Sequence, residues 1–120
     1  MKPYQDARVE GEKLAKQYAE LEKADQVDFY NGLEGYYSVL GHNKKQEAIA
    51  VLIEKNDHKI YVYQLDKGIS QDKAATISRE KGASDIDKVT FGRYKDKPIW
   101  EVKSGNQYYL VDFETGAVIQ

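Results

Sequence analysis

Twice along this chain, a helical spacing of apolar residues gives way to the two-residue alternation of β-strands, and the two passages lie about 60 residues apart. A helix presents one apolar stripe, while a half-buried strand presents every second residue. Each passage therefore reads as one helix laid on an antiparallel sheet. The constraint is strong, because a short-stranded sheet with a single helix has little core of its own. The chain is expected to be α+β, built from two tandem units over 4–65 and 66–120, each a helix on a three- to four-stranded sheet.

The first passage opens with a helix predicted over 4–23. Ala7, Gly11, Leu14, Ala15, Tyr18 and Leu21 recur at helical spacing, and Pro3 stands just ahead, where a missing N–H costs least. Val27, Phe29 and Tyr30 then form a strand that ends at the turn pair Asn31-Gly32. Further strands are expected over 36–40, 48–53 and 60–65, joined by a loop at Gly41-His42-Asn43-Lys44-Lys45 and a polar turn at 55–59. In the second passage Ser70 is a good N-cap, Asp72 puts negative charge in the first turn, and Gly82 is a C-terminal stop. Ala74, Ala75, Ile77 and Ser78 make a small-residue face. Strands follow at 89–91, 99–103 and 107–113, with turns at Asp96-Lys97, Ser104-Gly105-Asn106 and Glu114-Thr115-Gly116, and a short closing strand at 117–119. The halves also echo one another residue by residue. Val27-Asp28-Phe29 answers to Val89-Thr90-Phe91, and Tyr36-Tyr37-Ser38-Val39 to Ile99-Trp100-Glu101-Val102.

Composition narrows the function classes. Of the 120 residues, 41% are hydrophobic and 32% charged, with a formal net charge of -2. No basic field is present to hold a nucleic-acid backbone. The absence of cysteine excludes disulfides, thiolate chemistry and cysteine-based zinc sites. No apolar run approaches the roughly 18 residues that span a bilayer. The abrupt start at Met1-Lys2-Pro3 fits either a natural beginning or an excised piece of a longer chain.

Candidate chemistry does not assemble into a site. Ser70-Gln71-Asp72-Lys73 matches S-x-x-K, in which lysine activates a serine nucleophile, and Lys103-Ser104-Gly105 mimics a K-[ST]-G element. That chemistry needs a larger scaffold, and Ser84-Asp85-Ile86 lacks the asparagine of S-D-N; capping and a hairpin turn account for the same residues. His42 and His58 have no partner at metal-ligand spacing. Asp112-Phe113-Glu114-Thr115-Gly116 has the length of a hairpin turn and lacks the alternating oxygens of a calcium loop. Gly32, Gly35 and Gly41 do not form a phosphate cradle. No residue pattern calls for a cofactor. Trp100, with Val102, Tyr109, Val111 and Phe113, reads as core, with ligand stacking the alternative. Ten tyrosines exceed what one face of each sheet needs inside. Tyr36, Tyr61, Tyr63, Tyr94 and Tyr108 are the candidate partner contacts, with sheet propensity the competing explanation.

The second half carries the more recognisable motifs. Gly68-Ile69-Ser70-Gln71-Asp72-Lys73-Ala74-Ala75 opens its helix, Ile99-Trp100-Glu101-Val102 forms a strand, and Tyr109-Leu110-Val111-Asp112-Phe113-Glu114-Thr115-Gly116-Ala117-Val118-Ile119 closes it. This resembles a PepSY-type, cystatin-like domain, and the whole chain resembles the YpmB/TseB family of Gram-positive bacteria, which pairs two such units. The first half matches mainly in layout, with Tyr36-Tyr37-Ser38-Val39 as its anchor. The resemblance implies a non-enzymatic ectodomain outside the cell, held to the membrane by an N-terminal helix that this chain lacks. It implies regulation of cell-wall elongation through contact with a penicillin-binding protein. The wider PepSY group implies an alternative, an inhibitor or chaperone of a secreted peptidase. Neither brings catalytic residues to carry over.

Overall fold

The helical spacing at the start of the chain yields helix α1 (Pro3–Tyr18) in the computed structural model, which describes residues 3–119, with side chains over 9–119. The helix is shorter than the predicted 4–23. Glu20 adopts φ of 57°, a left-handed conformation that turns the chain out of the helix. Leu21, expected on the helix stripe, instead opens a strand and is buried through it. The side chain of Ala7 lies outside the described residues. The chain divides into two units at the Gln64–Leu65 junction.

In the first unit, β1 (Leu21–Asn31), β2 (Gly35–Asn43), β3 (Ala48–Glu54) and β4 (Ile60–Gln64) form an antiparallel meander in that order. Alternation places Tyr37 and Val39 of β2 beside Ile49, Val51 and Ile53 of β3, and α1 closes this face with Ala15. Burying each such aliphatic side chain contributes about 1.5–3 kcal/mol. Gly11 lets α1 approach closely, since a Cβ there would stand 3.1 Å from Tyr37 Cβ. The predicted loop at Gly41-His42-Asn43 is instead the end of β2. Gly41 is there because a Cβ would run into the Lys23 carbonyl oxygen, where β1 carries register shifts at Leu21/Lys23 and Ala24/Gln26. The glycine therefore marks a bulged stretch of sheet and not a loop.

In the second unit, a 3-10 turn over Leu65–Lys67 takes the place of the expected end of the fourth strand. Helix α2 (Gln71–Glu80) follows; Lys73 N–H donates to Ser70 Oγ at 3.0 Å, so the serine is the N-cap. Gly82, at φ of 116°, stops the helix, with its N–H donating to Arg79 O and that of Ala83 to Ser78 O. The strands are β5 (Lys88–Tyr94), β6 (Lys97–Ser104) and β7 (Gln107–Asp112), again an antiparallel meander in that order. Lys95 and Asp96 both have positive φ, the two-residue turn that matches strand twist, so Lys97 belongs to β6. The closing strand expected at 117–119 is reduced to a single bridge between Val111 and Val118.

Trp100 resolves as core. It packs edge-on to Phe91 at 4.9 Å and to Phe113 at 6.4 Å, and its indole N–H donates to Ile69 O at 3.0 Å. In each unit, a Val-x-Phe strand lies against an aromatic-x-Val strand: Val27 and Phe29 face Val39 and Tyr37, and Val89 and Phe91 face Val102 and Trp100.

Candidate binding surface

Of the five tyrosines singled out in the sequence, Tyr36, Tyr61 and Tyr63 lie in the first unit and Tyr94 and Tyr108 in the second. Tyr36 is buried, at 2% exposure, and is not an exposed aromatic. Its hydroxyl donates to Glu34 Oε1 at 3.1 Å, and its ring lies 6.3 Å from Tyr61 in an edge-on arrangement. Tyr61 and Tyr63 are half-buried on β4, two residues apart and so on one face. Tyr94 is half-buried at the end of β5, with the Lys95 ammonium 5.4 Å from its ring centre. Tyr108, at 54% exposure, stands at the start of β7. Tyr94 pairs with Lys97 and Tyr108 with Lys103, at opposite ends of β6.

Groups with catalytic potential are accounted for by local structure. Ser70 Oγ is engaged as the helix cap, and Lys73 contributes its backbone N–H to that bond. His42 Nδ1 lies 2.9 Å from Asp25 Oδ2, a pair that the β1–β2 register creates and that no one-dimensional spacing displays. Among the described residues, no three His, Asp or Glu side chains form a metal-holding group.

One cluster that sequence reasoning missed lies at the turn end of the first sheet. There Glu54 and Asp57 share a hydrogen bond, with Glu34 alongside. The Asp57 hydrogen bond, together with desolvation and the Glu34 carboxylate, pushes Glu54 up from 4.5 to about 7. Asp57 is held below its ordinary value by the same bond to Glu54, helped by Lys59. The residues join only when the turn before β2 and the turn after β3 are brought side by side. In the second unit, burial raises Glu101, opposed by Lys88.

Beside β4 the first unit has an apolar groove. Leu14, Tyr18, Ile53, His58 and Ile60 line a hollow of about 240 Å³. A second hollow of about 360 Å³, lined by Val9, Glu10, Lys13, Leu14 and Gln17, shares Leu14 and continues along α1. Tyr18 is 61% exposed, Val62 48% and Val9 64%. Exposed large apolar side chains beside such hollows suit binding.

The profile of the cell wall elongation regulator TseB-like domain matches residues 10–54, from within α1 to the last residue of β3. A Bacillus subtilis (strain 168) protein described as "Probable cell wall elongation regulator TseB" is 38% identical over an alignment of 114 residues, spanning 88% of this chain and 70% of the relative. The chain belongs to the TseB-like family. A solved structure of the YpmB protein from Bacillus subtilis superposes with a TM-score of 0.81 at 33% identity, covering 96% of this chain and 95% of that one. The TseB-like profile falls in the first unit, the half with fewer motifs in its sequence. The groove beside β4 is therefore on the unit that carries the family's own pattern.

Proposed function

We propose that this chain is a non-enzymatic, extracytoplasmic protein-binding module that regulates cell-wall elongation through contact with a penicillin-binding protein. The observation that carries this reading is the 38% identity to a relative described as a cell wall elongation regulator. The geometry agrees with a binding role, since the unit that bears the family pattern offers an apolar groove. Each unit is read as PepSY-like, a helix closing one face of an antiparallel sheet. Tyr61, Tyr63, Tyr94 and Tyr108 remain candidate contacts, with Tyr36 acting from within the sheet. The protein works at the cell envelope, tethered to the membrane; no described helix is itself long and apolar enough to cross one.

Co-purification tests the reading. The chain is displayed on the outer face of the membrane, crosslinked, captured and probed with fluorescent penicillin, which labels penicillin-binding proteins covalently. A labelled protein that comes down with the chain and not with an unrelated displayed domain is the expected result. Capture without any labelled protein contradicts the reading. Protection of a secreted peptidase under the same display would favour the peptidase-directed alternative.

A further inference from the structure

We infer that the free edge of β4 accepts an extended, alternately apolar segment of a partner protein as an added strand. The inference rests on the binding role proposed above and names the surface that performs it.

The register fixes which backbone groups are free. Glu54 N–H donates to Lys59 O, and Lys55 N–H to Gly35 O. Counting along the β3–β4 ladder from Glu54 and Lys59, Tyr61 and Tyr63 bond toward β3. Ile60, Val62 and Gln64 therefore point their N–H and C=O groups outward. Among the described residues of the first unit, none meets these outward groups. A row of unmet donors and acceptors at strand spacing is complementary to another strand and to little else.

The other sheet edges are blunted and this one is not. In β1, Glu22, Lys23, Asp25 and Asp28 are charged, and the ladder shifts register twice. On β5 the Val89 carbonyl accepts from Gln71 Nε2 at 3.0 Å. The edge of β7 is met by the chain itself, through the Val111–Val118 bridge and the Ile119 N–H to Leu110 O. By contrast β4, Ile-Tyr-Val-Tyr-Gln, has no charge, no proline and no shift of register. Charged residues, bulges and covering segments are how proteins prevent unwanted strand addition, and β4 uses none of them.

The surroundings define the occupant. A strand laid on β4 turns alternate side chains toward the α1 side of the sheet, where the hollow lined by Leu14, Tyr18, Ile53 and Ile60 receives an apolar one. Of the turn after β3, His58 lines the end of the same hollow.

The test titrates the folded chain with a blocked peptide of alternating valine and threonine, followed by amide NMR and hydrogen exchange. Shifts and slowed exchange at Ile60, Val62 and Gln64 are expected, and the same peptide with a central proline should be inert. Val62→Pro removes an outward N–H that no ladder bond uses, so the sheet tolerates it. It should weaken the peptide by about tenfold, the value of one to two net main-chain hydrogen bonds. Val62→Lys keeps the backbone and serves as the second variant, with weakening in the same direction. Peptide shifts elsewhere, no shifts, or unchanged binding by both variants overturns the inference. A Val62-dependent dimer in sedimentation also overturns it, since a second copy would then occupy the edge. Binding of the penicillin-labelled partner is measured in parallel. If that partner fails to bind the unmodified chain, the proposed function falls while the peptide still judges the edge. If both Val62 variants bind the partner normally, the edge is not the contact surface and the inference falls.

Discussion

Trp100 donates its indole N–H to the Ile69 carbonyl across 3.0 Å, joining the second sheet to the segment that leads into α2. The ring is buried among Phe91 and Phe113, so the bond is made in a dry setting. Trp100→Phe should destabilise the chain by about 2–4 kcal/mol, from lost ring volume plus an unmet carbonyl. This is the only tryptophan, so unfolding in urea should be followed by circular dichroism. A loss below about 1 kcal/mol would show that Trp100 is not the anchor described.

Gly41 and Gly35 make a controlled pair on one strand. At Gly41 an added Cβ collides with the Lys23 carbonyl oxygen, while at Gly35 its nearest neighbour is the flexible end of Lys55, 3.3 Å away. Gly41→Ala should cost about 1–3 kcal/mol and Gly35→Ala less than about 1 kcal/mol, compared by thermal or urea unfolding.

Ser70→Ala should cost about 1 kcal/mol through the lost helix cap. The same residue tests the rejection of S-x-x-K chemistry. Neither the unmodified chain nor Ser70→Ala should be acylated by fluorescent penicillin, read as an unlabelled band on a denaturing gel. A band lost on substitution of Ser70 would restore an enzymatic reading.

The Glu54–Asp57 pair predicts a pH dependence with a definite sign. Glu54 is raised in the folded chain from 4.5 to about 7, chiefly by its hydrogen bond to Asp57. The folded state then holds a proton that the unfolded chain releases, so its contribution is complete below 4.5 and is lost as pH rises through about 7. Asp57 is shifted the other way; its contribution is present above its ordinary value of 3.8 and fades only in stronger acid. The urea midpoint should therefore fall between about pH 5 and about pH 8, and Glu54→Gln should flatten that slope. An equal slope in Glu54→Gln would assign the effect to other groups.

Much of the fold was legible because strand periodicity and turn chemistry act locally. The Ile-Val run of β3 and the Ser70 cap each follow from a few neighbouring residues, while the turn expected at Asn31-Gly32 falls at 32–34, because Asn31 still pairs with Gly35 as the end of β1. The end of α1 was not legible, since Tyr18 and Leu21 keep helical spacing across a break that a non-glycine residue, Glu20, makes by adopting positive φ. Gly41 misled for a related reason. Glycine signals both turns and close backbone approach, and only the bulged register of β1 distinguishes them. The surface was less legible than the fold. Adjacent Tyr36 and Tyr37 point to opposite faces, so a tyrosine count says nothing of which ring is exposed. The Glu34, Glu54 and Asp57 cluster, the Asp25–His42 pair and the free edge of β4 each depend on strand register, which joins residues far apart in sequence.

The central claim is that this chain regulates wall elongation by binding and not by catalysis. It is tested most directly in Bacillus subtilis cells lacking the TseB relative, in which the chain is tethered to the outer face of the membrane and the elongation rate is measured. The account predicts that the tethered chain restores the rate, and that a Ser70→Ala, Lys73→Ala double variant restores it equally. A folded, displayed chain that leaves the rate unchanged would contradict the regulatory claim, and rescue lost only in the double variant would contradict the non-enzymatic one.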